Sequence, residues 1–434
     1  MDPILGTLVL ILVALLGARI SFSTERVSPG PRLLFRTGMQ FLVIGFLLGP
    51  SGLSLITDEA AQQLSPLLAL GLGWVGFHFG LQLDRESLRH FKLRVHLVAL
   101  GQALLSFALF LGGALALLEL FGIAADVPLL LPLGAAATAA VTTPAGIALV
   151  SSNFLVRGKV RDLLFLIGSL DAVVGITALQ LTYSFYRPSL PGNPAAGGSL
   201  LYTAAATALG LALGIVFTWL TRRRPRSEEL VLYVLGACAF TAGAALQWGL
   251  SPLFLSAVMG FTVANLGRER ARVFLLLQRW EKPVYLIFLL LAGALLRIPG
   301  VWVFALAAGY ALLRALAKVL GAAAMAASVP LGFDVPRRLG FGLIPQGGIS
   351  IAMAVSGVLL YSDLEVRGVA AETTLFTVIV VGVMLSELAG PFMTVRLLRR
   401  AGEISPRVEE AIAAGDERRA EREALRHASR SPPP

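Results

Sequence analysis

Apolar runs long enough to cross a bilayer recur from residue 3 to residue 395, with short charged loops between them. Few folds accept such a chain. In hydrocarbon no water satisfies a free backbone N–H or C=O, so a spanning segment must be a helix or part of a closed barrel. Runs of about 20 residues without strict polar/apolar alternation are helices. Thirteen spans are expected, near 3–20, 33–50, 62–83, 95–121, 127–151, 163–186, 199–221, 229–249, 252–267, 283–299, 301–328, 339–360 and 373–395. The fold class is therefore an all-α polytopic membrane protein. With 56% hydrophobic and 14% charged residues and a mean hydropathy of +0.79 over 434 residues, no soluble domain of this size competes.

The net charge of +10 would suit a nucleic-acid binder, but its placement points to membrane lipid as the partner, and no nucleic acid is expected. Loops on one side hold 22 of the 36 basic residues, against three on the other (Arg187, Arg297, Arg367). By the positive-inside rule the N-terminus is extracytoplasmic and the C-terminus cytoplasmic in a multi-pass cell-membrane protein, which needs an odd number of spans. The N-terminus begins Met-Asp-Pro without a positive segment, so the first run is read as a retained helix. Residues 1–399 form the membrane domain. Residues 400–434 form a short cytoplasmic tail, read as one helix near the membrane followed by a disordered Ser-Pro-Pro-Pro. A lone cysteine, Cys238, four histidines without ligand spacing and no strand leading into a phosphate loop leave no cofactor and no resident metal to expect.

The chemistry gathers in the sixth span, LLFLIGSLDAVVGITALQLT (163–182), where a single carboxylate, Asp171, sits near the middle. At 1.5 Å per residue it lies about 15 Å from the charges of Arg161 and Asp162, the centre of a hydrocarbon core about 30 Å thick. An acid there costs on the order of 2.5–3.5 kcal/mol on insertion scales, and such residues line polar cavities and bind or relay ions. The bland counterpart is a structural carboxylate tied to a neighbouring cation. Span eleven offers two such cations, Arg314 and Lys318, four residues apart and so on one helical face. Glu387 in the last span is the other buried acid, as suited to a packing or capping role as to a site.

Two spans carry helix breakers at depth. Span five reads AAATAAVTTPAGIALV, with Thr142, Thr143, Pro144 and Gly146; span twelve reads GFGLIPQGGISIAMAV, with Pro345, Gln346, Gly347 and Gly348. Proline removes a helix hydrogen bond and glycine loosens the turn. Freed backbone groups survive there only against protein or a wet cavity. Paired interrupted spans point to inverted repeats crossing at an ion site, and two halves of six spans around span seven give the spacing. The plainer reading is two kinked helices. The small-residue run of span three (Gly71, Gly73, Gly76, Gly80) is read as close helix packing.

Together these residues resemble a family. IGFLLGPSGL (44–53), LGLGWVGFHFGLQLDRESLR (70–89), ALLRALAKVLGA (311–322) and LIPQGGISIAMAV (343–355) are similar to the second, third, eleventh and twelfth helices of monovalent cation:proton antiporters. The likeness is greatest to the second of their two large families, which includes the Kef-type proteins. The resemblance covers most of residues 30–399. It implies the Na+/H+ antiporter fold: a dimerising panel and an ion-carrying core of crossed, broken helices that exchanges Na+ or K+ for H+ by an elevator-like motion. It also implies a homodimer. The departures are specific. The family's sixth helix carries Asp-Asp, Asn-Asp or Gln-Asp; here Asp171 is followed by Ala172, or preceded by Leu170 if the Gln-Asp form is matched. Gln82 stands for the usual third-helix Glu, the tenth helix lacks a lysine, and the regulatory nucleotide-binding domain of Kef-type proteins is missing.

The expected function is secondary antiport of a monovalent cation against H+. Asp171 is the shared site, Thr142 and Thr143 supply neutral oxygens, and Lys318 and Arg314 are charge partners. Glu387, Ser169, Gln346 and Gln82 are secondary candidates. The rival readings are a transport-inactive sensor or scaffold, motivated by Ala172 and Gln82, and an organic-anion carrier using Arg314 and Lys318. An enzyme is not expected, because no nucleophile–base pair is in view.

Overall fold

The computed structural model describes residues 38–430 except 90, 187–195, 330–335, 337, 362, 363, 367 and 415. The expected first span, the start of the second and the Ser-Pro-Pro-Pro end lie outside the described residues. The longer helices follow in chain order. They are α1 (Gln40–Leu48), α2 (Ser65–Leu81), α3 (Leu93–Leu120), α4 (Leu130–Ala140), α5 (Pro144–Asn153), α6 (Lys159–Phe185), α7 (Ala196–Leu220) and α8 (Ser227–Gln247). Then come α9 (Pro252–Leu266), α10 (Arg270–Ala294), α11 (Trp302–Ser328), α12 (Gly347–Tyr361), α13 (Ala371–Arg400), α14 (Pro406–Ala413) and α15 (Glu417–Arg430).

Among the described residues, seven segments are long and apolar enough to cross a membrane, with α4 and α5 counted as one, and α2, α9 and α12 are shorter apolar helices. The chain is a multi-pass helical membrane protein. The full thirteen crossings are not reached by that measure. Span one is not described, α1 is nine residues long, and α10 carries Arg279, Glu281 and Lys282 in its first half. The tenth helix also begins at Arg270 where the sequence reading starts it at 283, and it runs through Pro283.

The helices sort into two groups. In the first, α2 packs on α9, α8 and α10, while α9 also meets α7. Glycines make this closeness possible: a Cβ on Gly73, Gly76 or Gly80 would run into the backbone carbonyls of Cys238, Leu253 and Ala257. In the second group α3, α4, α6, α11, α12 and α13 pack on one another, with α6 and α12 reaching across to the first.

Span five is two helices. Val141 and Thr143 are extended, and Pro144 opens α5, where its missing N–H leaves no intrahelical bond unmade. Span twelve opens with a 3-10 turn at Leu339–Leu343, breaks at Pro345 and Gln346, and resumes at Gly347, whose φ of +64° only glycine adopts freely. Space demands glycine there too, since a Cβ would sit 2.6 Å from Thr143 Cγ2.

The tail corrects the sequence reading. It forms two helices, α14 and α15, joined through Val408, Ala411 and Ala420, which are buried against each other and against Leu155 beyond the end of α5. Just ahead of them, Glu403 reaches the start of α6: Oε1 accepts the Val160 N–H at 2.7 Å and Oε2 the Arg161 N–H at 3.0 Å. Burial pushes this carboxyl up from its ordinary value, and the two N–H groups draw it part of the way back.

Candidate ion site

The two breaks touch. The Thr143 N–H donates to the Pro345 carbonyl at 3.2 Å, and the Thr142 hydroxyl donates to the Leu343 carbonyl at 3.0 Å. Four half-helix ends therefore meet in the interior, each with unmatched backbone groups. Charged side chains take them by sign. At the carbonyl end of α4, Lys318 Nζ donates to Ala140 O and Arg314 Nη2 to Val141 O at 2.7 Å. Arg314 Nη1 also reaches Ile344 O at 2.7 Å, and Nη2 reaches Leu343 O at 3.3 Å, so one guanidinium closes both breaks. At the N–H end of α12, Glu387 Oε1 accepts from Gln346 and Gly347, both at 2.8 Å. Cations on carbonyl ends and an acid on an N–H end are what the helix dipoles favour.

Asp171 enters this junction from α6. Its Oδ2 lies 2.6 Å from Lys318 Nζ, and both side chains have no exposure. No hydrogen-bond partner is present for Asp171 Oδ1 among the described residues, although the Thr142 hydroxyl lies beside the carboxylate. Taking two ions out of water costs several kcal/mol each, so the pair holds only while its geometry is kept; removing one partner typically costs about 3–5 kcal/mol. Asp171 Oδ1 is thus a buried carboxylate oxygen at the junction with room in its bonding for another cation.

A polar chain runs beside the pair. Gln346 Nε2 donates to Tyr310 Oη at 2.7 Å and to Thr138 O at 2.9 Å, while Thr138 Oγ1 lies 3.2 Å from Tyr310 Oη and donates to Ala135 O. Tyr310 and Thr138 escaped the sequence reading. Their signal was periodicity: Tyr310 precedes Arg314 by one turn, as Thr138 precedes Thr142.

Of the residues singled out in the sequence, Asp171, Lys318, Arg314, Thr142, Thr143, Gln346 and Glu387 come together at the crossing. Two secondary candidates do not. Ser169 donates back to the Phe165 carbonyl of its own helix at 3.0 Å. Gln82 is exposed just past α2, 3.4 Å from His78. Ala172, next to Asp171, is buried in the apolar core, because neighbouring helical residues point about 100° apart.

Two openings approach the pair from opposite ends. At the α5–α6 end lies a cavity of about 740 Å³, walled by Ala148, Ser151, Arg157, Arg161, Asp162 and the tail residue Glu421. Its deepest α6 residue is Phe165, about 9 Å along the helix from Asp171. At the other end a slit of about 10 Å³ runs between α4, α6, α12 and α13 and reaches Thr138.

The sodium/hydrogen exchanger transmembrane family profile matches residues 9–400, nearly the whole membrane part. The chain belongs to that family. It is a transporter of the cation:proton antiporter group and not an enzyme. The structure of the sodium proton antiporter MjNhaP1 from Methanocaldococcus jannaschii at pH 8 superposes with a TM-score of 0.67 at 16% identity, covering 92% of this chain and 100% of that one. An electron-microscopy map structure of the same antiporter gives a TM-score of 0.61 at 18% identity, over 94% and 100% of the two chains. At these identities the likeness establishes a common fold, the Na+/H+ antiporter fold. No functionally curated protein matches the chain.

Proposed function

We propose that this family member exchanges a monovalent cation, Na+ or K+, for H+ at Asp171. The observation that carries the reading is the buried Asp171–Lys318 pair at the crossing of two broken helices, with one carboxylate oxygen unpartnered among the described residues. With Lys318 protonated and Asp171 ionised the pair is neutral. A cation admitted to the carboxylate would leave two positive charges on one acid in a site closed to water, which is costly. One proton must therefore leave, from whichever of the two groups carries it. The exchange is one for one, electroneutral and insensitive to membrane potential. Thr142 and Thr143 and the opened backbone supply the neutral oxygens a dehydrated cation needs. Arg314 commits its terminal nitrogens to three backbone carbonyls, which favours a scaffold role and counts against an organic anion as substrate.

Asp171→Asn keeps the size of the side chain and removes the charge. In proteoliposomes with a pH-sensitive dye, cation-dependent proton movement should fall to background. Asp171→Asn/Lys318→Gln, which strands no charge, serves as the folded control with the same loss. Exchange persisting in either variant would overturn the assignment, as would wild-type exchange driven by an imposed potential.

On the loop charges and the family resemblance, the chain is further proposed to be a cell-membrane homodimer. Its N-terminus is outside and residues 400–434 form a cytoplasmic tail. A reporter fused after Arg400 and native mass spectrometry in mild detergent test the two statements. A reporter active only outside the cytoplasm, or monomer alone, would count against them.

A further inference from the structure

The slit opposite the large cavity has an acid at its mouth. Glu372 stands in the first turn of α13 with 5% of its surface exposed. Among the described residues its carboxylate pairs with no cation and accepts no hydrogen bond. An acid in the first turn of a helix is ordinarily a dipole partner, and an exposed one needs no other account. Glu372 is different in being nearly buried with no compensating group among the described residues, which native structures rarely leave unexplained.

Its surroundings are built around it. Gly357 of α12 leaves the space the carboxylate fills: a Cβ there would lie 3.0 Å from Glu372 Oε2 and 3.2 Å from Tyr183 Oη. The titratable groups facing it are the phenols of Tyr183 from α6 and Tyr361 from α12, the latter donating to the Tyr183 carbonyl at 3.4 Å. The facing wall of α4 contributes Leu130, Gly134 and Thr138, none of which is charged. From Glu372 the slit follows two turns of α13 to Ile379, about 10 Å, and its inner end is Thr138. The Thr138 carbonyl holds Gln346, and two and three residues on, Ala140 and Val141 hold Lys318 and Arg314. The mouth and the buried pair are thus joined by one seam through four helices.

We propose that Glu372 is a second ion-handling carboxylate, the capture site for cation and proton on the face where the slit opens, passing them to and from Asp171. This rests on the reading of Asp171 as the exchange site. The protonated acid releases its proton to water on that face and takes the incoming monovalent cation as counter-charge. When the cation moves inward, the carboxylate is free to take a proton coming out. Glu372 raises the local concentration of either ion at the end of the path where the opening is too narrow to hold many waters.

The test is exchange in proteoliposomes of known orientation, with Na+ supplied from each face in turn. Glu372→Gln should raise the Na+ concentration for half-maximal exchange by about fivefold when Na+ comes from the slit face. The half-maximal Na+ concentration from the cavity face should stay unchanged, and Glu372→Asp should recover part of the loss. Equal changes from both faces, or a fall in maximal rate alone, mark a structural residue and overturn the proposal. Infrared difference spectra provide a readout that needs no transport. Adding Na+ should remove a carboxylic C=O band that is absent in Glu372→Gln and still present in Asp171→Asn. A Glu372 band indifferent to Na+ would sink the capture site while leaving Asp171 in place. Exchange surviving Asp171→Asn would sink the Asp171 reading while leaving the band.

Discussion

The cavity at the α5–α6 end and the slit at the α13 end differ in more than width. The cavity is large, contains both signs of charge and stops at Phe165, well short of Asp171. The slit is nearly closed and has an acid at its mouth that pairs with no described residue, yet its inner end lies against the hydrogen-bond chain of the crossing. Neither reaches the pair, whose side chains have no exposure. A wide, shallow opening and a narrow, deep one are what a carrier shows when its site is shut and leans toward one face. An exchanger must never be open at both ends, or the ions would run down their gradients without coupling.

The sharpest way to break that comparison is chemical access. Ala148 is exposed within the cavity, whereas Gly134 is buried in the slit; a side chain at Gly134 would meet only Leu375, at 4.0 Å, so cysteine fits. The native Cys238 is fully buried and gives little background. A maleimide should label Ala148→Cys in resting protein while Gly134→Cys stays unmodified. With Na+ and a pH gradient supplied together, Gly134→Cys should become reactive as the site alternates. Equal labelling of both at rest would show that the slit is as open as the cavity. Gly134→Cys staying inert during turnover would show that ions do not pass through the slit.

Much of this site was legible in the sequence because a membrane makes polar residues conspicuous. Asp171, the Arg314–Lys318 pair and the two proline–glycine breaks each violate the surrounding apolar pattern, and all converge at the crossing. What could not be read was assignment within that set. Arg314 and Lys318 share a helix face, so periodicity cannot say which reaches the acid. That depends on where α4 ends, one residue before the Val141 carbonyl that takes Arg314. Glu387 was evenly balanced between cap and site, and its two N–H partners make it a cap for α12. Glu372 escaped because an acid at the edge of a span looks like an ordinary helix start, and only the packing of α4, α6 and α12 buries it. Gln82 and Ser169 mattered only through position in a motif or nearness in sequence, and neither brings them to the junction. Alternating charge throughout the tail gives the pattern of a single helix. Its break follows Ala413, and its folding depends on Leu155, more than 250 residues earlier.

The two ends differ, finally, in what stabilises them. The slit mouth is held by the start of α13 and the short antiparallel pair Glu365–Val366 with Val369–Ala370. The cavity end is held by Glu403, through which the chain leading into α14 and α15 caps the very helix that carries Asp171. Because burial raises the Glu403 carboxyl above its ordinary value, the folded protein favours its protonated form more than the unfolded chain does. Its contribution is then complete below the ordinary glutamate range and is lost as pH rises through the raised value. Asp162 and Arg161, the charged neighbours, act on it in opposite senses. Glu403→Gln cannot ionise and should flatten that loss. In melting curves of detergent-solubilised protein, the difference between wild type and variant should change across this window and be constant above it. The effect is small, because Glu403 keeps contact with solvent, and exchange at Asp171 should continue. Curves that stay parallel at every pH would show that the cap does not titrate there.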